Sequence, residues 1–449
     1  MKHNLKLTLK VILLATVLGI FIPAIHGQQI LQHYVAQALQ NNLQLKEKKI
    51  LEHRQEIMLE EASRLNGPQV NFIGNYTLAG GGRNIDFPIG DLLNPVYSTL
   101  NDLTETHSFH QLENQSINFL PNNFYDAKFR ITQSVIHPEI KYNKLIKTEE
   151  LSLAGLQTKQ AKRDLIRDVK TAYLHWMQAN EAISIIDQGM ILLNENKRIT
   201  ESLLKNGQAI PSALLRVESE IDLVQAQKQK AQGDLTNAAN WFNFLLNQPA
   251  GTSIEADTFE TVPDVHMISN VASREELQQI KSGEHIQQLA LTLEQKHFAP
   301  KLGVQLDLGS QAFGVDWGGY ALGGLQLDIP IWDNKQSKLK QQEWKASIEA
   351  NQNDYTWTQQ AFEVQLQAET QNLQSDIALY QSYTSMMKTN SRYYDETLKR
   401  YKEGLTNYIE LLDARTEITN TQLQQNLAKY QAWIRQINIE RLTATASID

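Results

Sequence analysis

Two carboxylates stand three residues apart where a helix is predicted to begin, Glu410 and Asp413. They follow a helical segment that stops at Gly404 and a short polar turn, Leu405-Thr406-Asn407. Residues three apart lie on the same face of an α-helix, so the pair concentrates negative charge there. On a single helix, the simplest role of such acids is to complement the positive N-terminal end of the helix dipole.

Other residues of the types found in catalytic, metal-binding or phosphate-binding sites do not have the spacing that such sites require. The eleven histidines form no His-Glu-x-x-His motif, and His107 and His110 lack the spacing of a zinc site. Ala79-Gly-Gly-Gly-Arg-Asn lacks the Gly-Lys-Ser/Thr of a phosphate-binding loop. The chain has no cysteine, which excludes disulfides, thiolate metal ligands and a cysteine nucleophile. We therefore expect no enzymatic activity, no metal site and no cofactor.

Charge and the N-terminus indicate an exported protein that does not bind nucleic acid. The formal net charge is −8, and no basic face that could follow a phosphate backbone is evident. Residues 1–27 combine three lysines with an apolar run from Val11 to Ile25, which predicts a signal peptide cleaved near Gly27. An N-terminal membrane anchor is the alternative, although the apolar run is short for a membrane-spanning helix.

The remaining chain is predicted to be an internal repeat, with residues 28–250 and 271–449 as its halves and 251–270 as a linker. Each half has the order helix, strand, strand, helix, helix. The long helices, from about 138 to 206 and 334 to 403, would each extend on the order of 100 Å. Each is followed by a returning helix, so that hairpin tips fall near Gly207 and Gly404.

Four stretches alternate between apolar and polar residues with the period of a β-strand. In 125–132, for example, Tyr125 and Phe129 share one face while Lys128 and Arg130 share the other. A soluble β-sandwich would show the same alternation. These strands, however, run to about ten residues, the length that crosses a bilayer when tilted. Four strands cannot close a membrane barrel, so several copies would have to contribute. An insertion at 80–123 separates the first two strands.

With this order of elements, the chain resembles the TolC family of outer-membrane export ducts over nearly its whole mature length. The most specific motifs are Leu327–Ser337, Ser273–Leu277 and the tip motif Arg400–Arg415. Within the first of these, Pro330, Ile331, Trp332 and Asp333 are similar to the family's turn from barrel strand into helix.

The resemblance implies a mainly α-helical fold with membrane β-structure. Three subunits would form one 12-stranded barrel in contact with outer-membrane lipid and one long periplasmic coiled-coil tunnel. It also implies the outer membrane of a Gram-negative bacterium as the location. The function would be that of the exit duct in a tripartite efflux or type I secretion system. Its partners would be a periplasmic adaptor (membrane fusion protein) and an inner-membrane RND or ABC transporter.

The same resemblance implies roles for residues at the two tips. Glu410 and Asp413 would ring the narrowest point of the pore, and Tyr401 would help to hold the closed state, although its expected acidic partner is replaced by Ala213. Thr406 stands where an arginine can occur in the family. The residues expected to dock the adaptor are Gly207, Gln208, Ala209, Ile210, Pro211 and Ser212, with Gly404, Leu405, Thr406 and Asn407.

Two other classes of protein share some of these features. A periplasmic adaptor also has a long helical hairpin, but it needs only one and has additional β-rich domains. A structural coiled coil does not need four strands of bilayer length. The sequence gives no indication of the transported substrate.

Overall fold

The computed structural model describes residues 29–120, 122–259, 261–264 and 271–445. The predicted signal peptide, residues 1–27, lies outside the described residues, as does part of the predicted linker 251–270. Within the described ranges the chain forms eight α-helices and six β-strands. The prediction of a mainly helical fold with some strands is therefore confirmed.

The elements follow one another from α1 to α8. They are α1 Gln29–Asn41, α2 Leu43–Arg64, β1 Gln69–Thr77, β2 Asn84–Phe87, α3 Ile89–Thr104, β3 Gln115–Asn118, β4 Phe124–Ile136, α4 Pro138–Lys205, α5 Pro211–Leu245, α6 Glu275–Gln295, β5 Lys301–Phe313, β6 Gly319–Asp328, α7 Gln336–Lys402 and α8 Tyr408–Leu442. None of the helices in the described ranges is both long enough and apolar enough to cross a membrane.

The chain divides into two compact units. Among the described residues, the helical unit comprises those within 29–56, 149–285 and 348–445, and the strand unit comprises those within 57–148 and 286–347. The long helices α4 and α7 contribute residues to both units.

The strand unit contains an antiparallel sheet in the order β1-β4-β5-β6. Its apolar face is exposed: Phe72 is 66% accessible, Phe129 56% and Leu325 78%. Because strand side chains alternate between the two faces, the polar residues lie on the opposite side. Strands β1 and β6 are the edges of this sheet.

The polar face of the sheet is held together by ion pairs. Arg130 and Asp307 are direct cross-strand neighbours, and the guanidinium donates two hydrogen bonds to the carboxylate, at 2.9 and 2.7 Å. Asp126 accepts from Lys128 at 2.6 Å and from the Tyr320 hydroxyl at 2.7 Å. Asp307 is only 3% accessible. The sheet thus shields its charges and exposes its hydrophobic residues, the reverse of a water-soluble protein.

The insertion at 80–123 contains regular structure. Strands β2 and β3 pair as a two-stranded sheet, and helix α3 lies between them in sequence. Pro95 stands inside α3 and masks the helical spacing of its apolar residues. The sequence pattern alone therefore does not predict this helix.

The core of the helical unit is built around aromatic side chains. The ring of Tyr173 contacts those of Tyr34 and Phe242, with centroids 5.9 and 5.5 Å away. The Tyr173 hydroxyl donates to the carbonyl of Glu255 at 2.9 Å and accepts from the amide of Asp257 at 2.7 Å. These bonds fix the segment after α5 against α4, because the buried hydroxyl is satisfied only by that backbone.

A cluster of ion pairs surrounds the start of α6. Glu276 accepts hydrogen bonds from Arg274 at 2.6 Å and from Arg441 at 2.5 Å, and Arg441 also donates to Asp164 at 2.7 Å. Burial alone would raise the pKa of Glu276. The hydrogen bond from Arg274 and the charge of Arg441 outweigh burial and lower the pKa to about 2.

We expect Glu276→Gln to destabilise the protein in a pH-dependent way. Because the folded pKa lies below the ordinary value of 4.5, ionisation of Glu276 contributes stability above that pH. The contribution is about 3 kcal/mol at pH 7, and more than half of it is lost by pH 3 as the unfolded carboxyl becomes protonated. Chemical unfolding followed by circular dichroism at both pH values measures the difference. Glu47→Gln, at an exposed position of α2, is the control. An equal loss at pH 7 and pH 3 would contradict the prediction.

Candidate functional site at the hairpin turns

The turn after α4 is closed by two backbone hydrogen bonds. The amide of Gly207 donates to the carbonyl of Leu204 at 3.1 Å, and the amide of Gln208 donates to that of Leu203 at 2.8 Å. This is the Schellman pattern that ends many helices. Gly207 has φ of +69°, whereas a Cβ added there would meet no atom within 4 Å. Glycine is therefore favoured here by backbone conformation and not by lack of space.

The turn after α7 repeats this geometry. Gly404 donates to the carbonyl of Tyr401 at 3.0 Å, and Leu405 donates to that of Arg400 at 2.8 Å. Gly404 has φ of +72° and is equally free of neighbours around its missing Cβ. The two turns predicted as hairpin tips thus use the same hydrogen bonds at corresponding positions.

The returning helices start differently. Helix α5 begins with Pro211 after Ile210, which provides no side-chain cap. Helix α8 is capped by Asn407, whose side chain accepts from the amide of Glu410 at 3.1 Å. The hydroxyl of Thr406 also bonds to the carboxylate of Glu410. One of the two predicted pore acids therefore also stabilises the start of its own helix.

Glu410 and Asp413 are both exposed, and Glu417 continues the exposed acidic face one turn further along α8. Among the described residues, neither Glu410 nor Asp413 forms an ion pair. The two acids line a groove of about 930 Å³ together with residues of both turns and with Arg216 of α5. The structure therefore brings the predicted tip residues and the predicted pore acids into one site.

Tyr401 lies on the inside of this site. It is 4% accessible, its hydroxyl lies 2.9 Å from that of Thr200, and its ring lies 5.9 Å from that of Tyr408. Burial raises the pKa of Tyr401, which keeps the hydroxyl neutral. The tyrosine thus connects α7 to α4 within one chain through Thr200, a partner that the sequence did not indicate.

Two further buried contacts connect the first hairpin to the second. Arg415 is 2% accessible and donates to Glu220 at 2.6 Å, and the Tyr394 hydroxyl donates to Asn196 at 3.1 Å. Sequence reasoning did not single out these residues. The available signal was the spacing of Arg415, which falls on the same helix face as the buried residues at 408, 411 and 418.

The predicted turn at Pro330–Asp333 belongs to the strand unit, apart from the hairpin turns. Asp333 accepts from the amides of Lys335 at 3.0 Å and Ser337 at 2.8 Å. The bonds from Ser337 lower the pKa of Asp333. Ile331 and Trp332 are 89% and 80% accessible. Asp333 therefore caps the start of α7, while the two apolar residues before it point away from the chain.

The described residues contain no group of three or more histidine or carboxylate side chains placed to hold a metal ion. The hairpin site is an exposed surface with acids on one side. Buried polar contacts beneath this surface hold it in position.

Comparison with known proteins finds a family match in the second half of the chain. Residues 272–445 match the model of the outer membrane efflux protein family. No curated protein sequence matches the chain.

Solved structures share the fold over most of the chain. The outer-membrane channel OprN is 15% identical with a TM-score of 0.75, over 93% of this chain and 90% of its own. VceC of Vibrio cholerae, an outer membrane protein, is 14% identical with a TM-score of 0.74, over 93% and 97%. The outer membrane channel CmeC of Campylobacter jejuni is 13% identical with a TM-score of 0.74, over 92% and 85%. These likenesses show that the chain shares the fold of these outer-membrane proteins, and the family match covers its second half.

We expect Glu220→Ala to loosen the hairpin turns strongly, because it leaves the buried charge of Arg415 without its partner. The free energy of unfolding of the hairpin ends should fall by about 3 kcal/mol. Glu218→Ala, two residues away, breaks only the half-exposed pair with Lys197 and should cost less than about 1 kcal/mol. Amide hydrogen exchange across residues 212–222 and 408–418 measures both effects. Similar exchange in the two variants would show that the Arg415 pair does not hold the hairpins together.

Proposed function

We propose that this protein is the outer-membrane exit duct of a tripartite efflux or type I secretion system. The observation that carries the proposal is the inverted sheet, which exposes Phe72, Phe129 and Leu325 and shields the Arg130–Asp307 pair. In water this arrangement would expose a large apolar surface at a considerable cost in free energy. In a bilayer it is the favoured arrangement, because the lipid contacts the apolar face while the polar face lines an aqueous channel.

The open edges of the sheet support a trimer. A membrane-embedded sheet cannot leave β1 and β6 unpaired, because lipid offers no hydrogen bonds to the backbone. Pairing β6 of one copy with β1 of the next closes three copies into a barrel of 12 strands, within the known range of such barrels. The repeated pattern of hairpin and turn in each chain would then give the periplasmic tunnel six hairpins around one axis.

The hairpin turns are suited to bind a periplasmic adaptor. Ile210 and Leu405 are 68% and 65% accessible although they are apolar and lie at the ends of the hairpins. Exposed apolar residues grouped in this way are typical of protein interaction sites. We infer that residues 207–212 and 404–407 dock the adaptor, which in turn connects the duct to an RND or ABC transporter of the inner membrane.

The acids of α8 are suited to form the constriction of the tunnel. In a trimer, Glu410 and Asp413 from three copies would place six carboxylates around the axis. The negative charge of this ring would favour cations in the constriction. The buried contacts of Tyr401 and Arg415 would hold the hairpins behind this ring in a defined position.

A periplasmic adaptor or a structural coiled coil would not require an inverted sheet. Both alternatives predict a protein that is recovered without detergent, and neither explains why the sheet's charges are paired on its shielded face.

Leu325→Arg tests the membrane proposal. Leu325 is already 78% accessible, so in a water-soluble protein an arginine there would be tolerated. On a lipid-facing surface the same change should destabilise the membrane-inserted barrel by about 2–4 kcal/mol. We expect Leu325→Arg to abolish trimers in the outer-membrane fraction and Gln326→Arg, on the opposite face of β6, to leave them intact. Recovery of the wild-type chain as a soluble periplasmic protein would overturn the proposed function.

Glu410→Ala combined with Asp413→Ala tests the constriction. Removing six carboxylates from three copies should lower the preference for cations severalfold and raise the single-channel conductance in planar bilayers. Glu403→Ala removes a nearby exposed acid from the other side of the turn and is the matched control. Unchanged selectivity in the double variant would place these acids outside the pore without disproving the duct.

A further inference from the structure

The insertion between β1 and β4 is internally braced. The side chain of Asn94 donates to the carbonyl of Leu112 at 2.9 Å and accepts from its amide at 2.7 Å. Asn101 makes the same pair of bonds with Phe109, at 2.8 and 3.0 Å. Gly90 lies so close to the Leu112 carbonyl that an added Cβ would approach it to 2.3 Å. One face of α3 is therefore fixed against the segment that follows it.

The opposite face of α3 is apolar and uncovered. Leu92, Val96 and Leu103 are 70%, 52% and 76% accessible. At 100° per residue these three positions fall within a narrow stripe, on the side away from Gly90, Asn94 and Asn101. The helix thus uses its polar side for internal contacts and turns its apolar side outward, which indicates that another surface covers it.

A second uncovered apolar surface lies at the same end of the sheet. The turn between β5 and β6 carries Val315, which is fully accessible, and Trp317, which is 84% accessible. This turn is hydrogen-bonded to the end of the insertion in the same chain, because the amide of Gly314 donates to the carbonyl of Asn123 at 2.5 Å. Within the described part of one chain, both apolar surfaces remain exposed.

Closure of the barrel would supply the missing partner. Because β1 and β6 are the edges of the sheet, pairing them between copies would place the insertion that follows β1 beside the β5–β6 turn of the next copy. Twelve strands tilted by about 40° give a barrel radius of about 12 Å. The 16 residues of α3 span about 24 Å, as long as the barrel is wide. Three insertions of this length on one rim would have the reach to contact neighbouring copies.

The charge of the insertion disfavours the membrane surface as the partner. Residues 83–118 contain five carboxylates and one arginine, and no lysine. A surface of anionic lipid attracts basic segments and would repel this one. The adjacent copy offers an apolar surface without that repulsion.

We propose that the apolar stripe of α3, Leu92, Val96 and Leu103, packs on the Val315–Trp317 turn of the adjacent copy and clasps the three subunits together at the outer rim. This inference rests on the proposed trimeric duct. Each copy contributes one stripe and one turn, so that three identical contacts close the ring.

Cysteine cross-linking tests the clasp without background, because the chain has no native cysteine. Leu103→Cys and Val315→Cys are combined in one chain and treated with a short bismaleimide in outer-membrane vesicles. The clasp predicts covalent dimers and trimers on a denaturing gel, at least tenfold more abundant than with Asp102→Cys and Val315→Cys, which places the first thiol beside the stripe. A purely intrachain product, which migrates as a monomer, would overturn the clasp.

Single-cysteine chains separate the remaining outcomes. Chains with only Leu103→Cys and chains with only Val315→Cys, carrying different tags and co-expressed, should give a mixed covalent dimer. Cross-linking of Leu103→Cys chains to one another instead would show that the stripes meet each other, which overturns the clasp. Trimers detected on native gels without any cross-link would also overturn the clasp and leave the duct intact. An absence of trimers for the wild-type chain would overturn the proposed function itself.

Discussion

The pairing of Arg130 with Asp307 across β4 and β5 allows the sheet to keep its charges on one side. Because these charges pair with each other on one face, the opposite face can consist of leucine, valine and phenylalanine and remain exposed. In the proposed duct, lipid and further copies of the chain would cover this surface, because four strands with two free edges complete neither a barrel nor a soluble core. The long helices would then lie outside the membrane, where their polar surfaces are hydrated.

The hairpins rely on a different kind of contact. Close to the turns, the two hairpins of one chain are joined by the buried pairs Thr200–Tyr401, Asn196–Tyr394 and Glu220–Arg415 in addition to apolar packing. A hydrogen bond or ion pair in a buried setting is satisfied in one arrangement and costly to leave unsatisfied in others. Such contacts hold the two hairpins of one chain in a defined arrangement near their turns.

The mainly helical fold and the long strands could be predicted because periodicity alone defines them, as the alternation from Tyr125 to Thr132 shows. Helix α3 could not, because Pro95 interrupts its pattern and because its apolar stripe stays exposed among the described residues. Contacts between segments that are distant in sequence could not be predicted either. Thr200 and Tyr401 are 201 positions apart, and only the folded chain brings their hydroxyls together. The proposed pore role of Glu410 and Asp413 came from family resemblance, since the acids alone are compatible with a simple helix cap.

The bracing of the insertion has a consequence for how such proteins diversify. Pairing of β1 with β4 is complete at Thr77 and Phe124, and the segment between them carries its own hydrogen bonds through Asn94 and Asn101. The bonds that hold the insertion together therefore lie outside the β1–β4 ladder. In the proposed duct the insertion would lie on the cell surface, where antibodies and phages select for change. Substitutions within it would then leave the register of the sheet, and with it the conduit, unchanged.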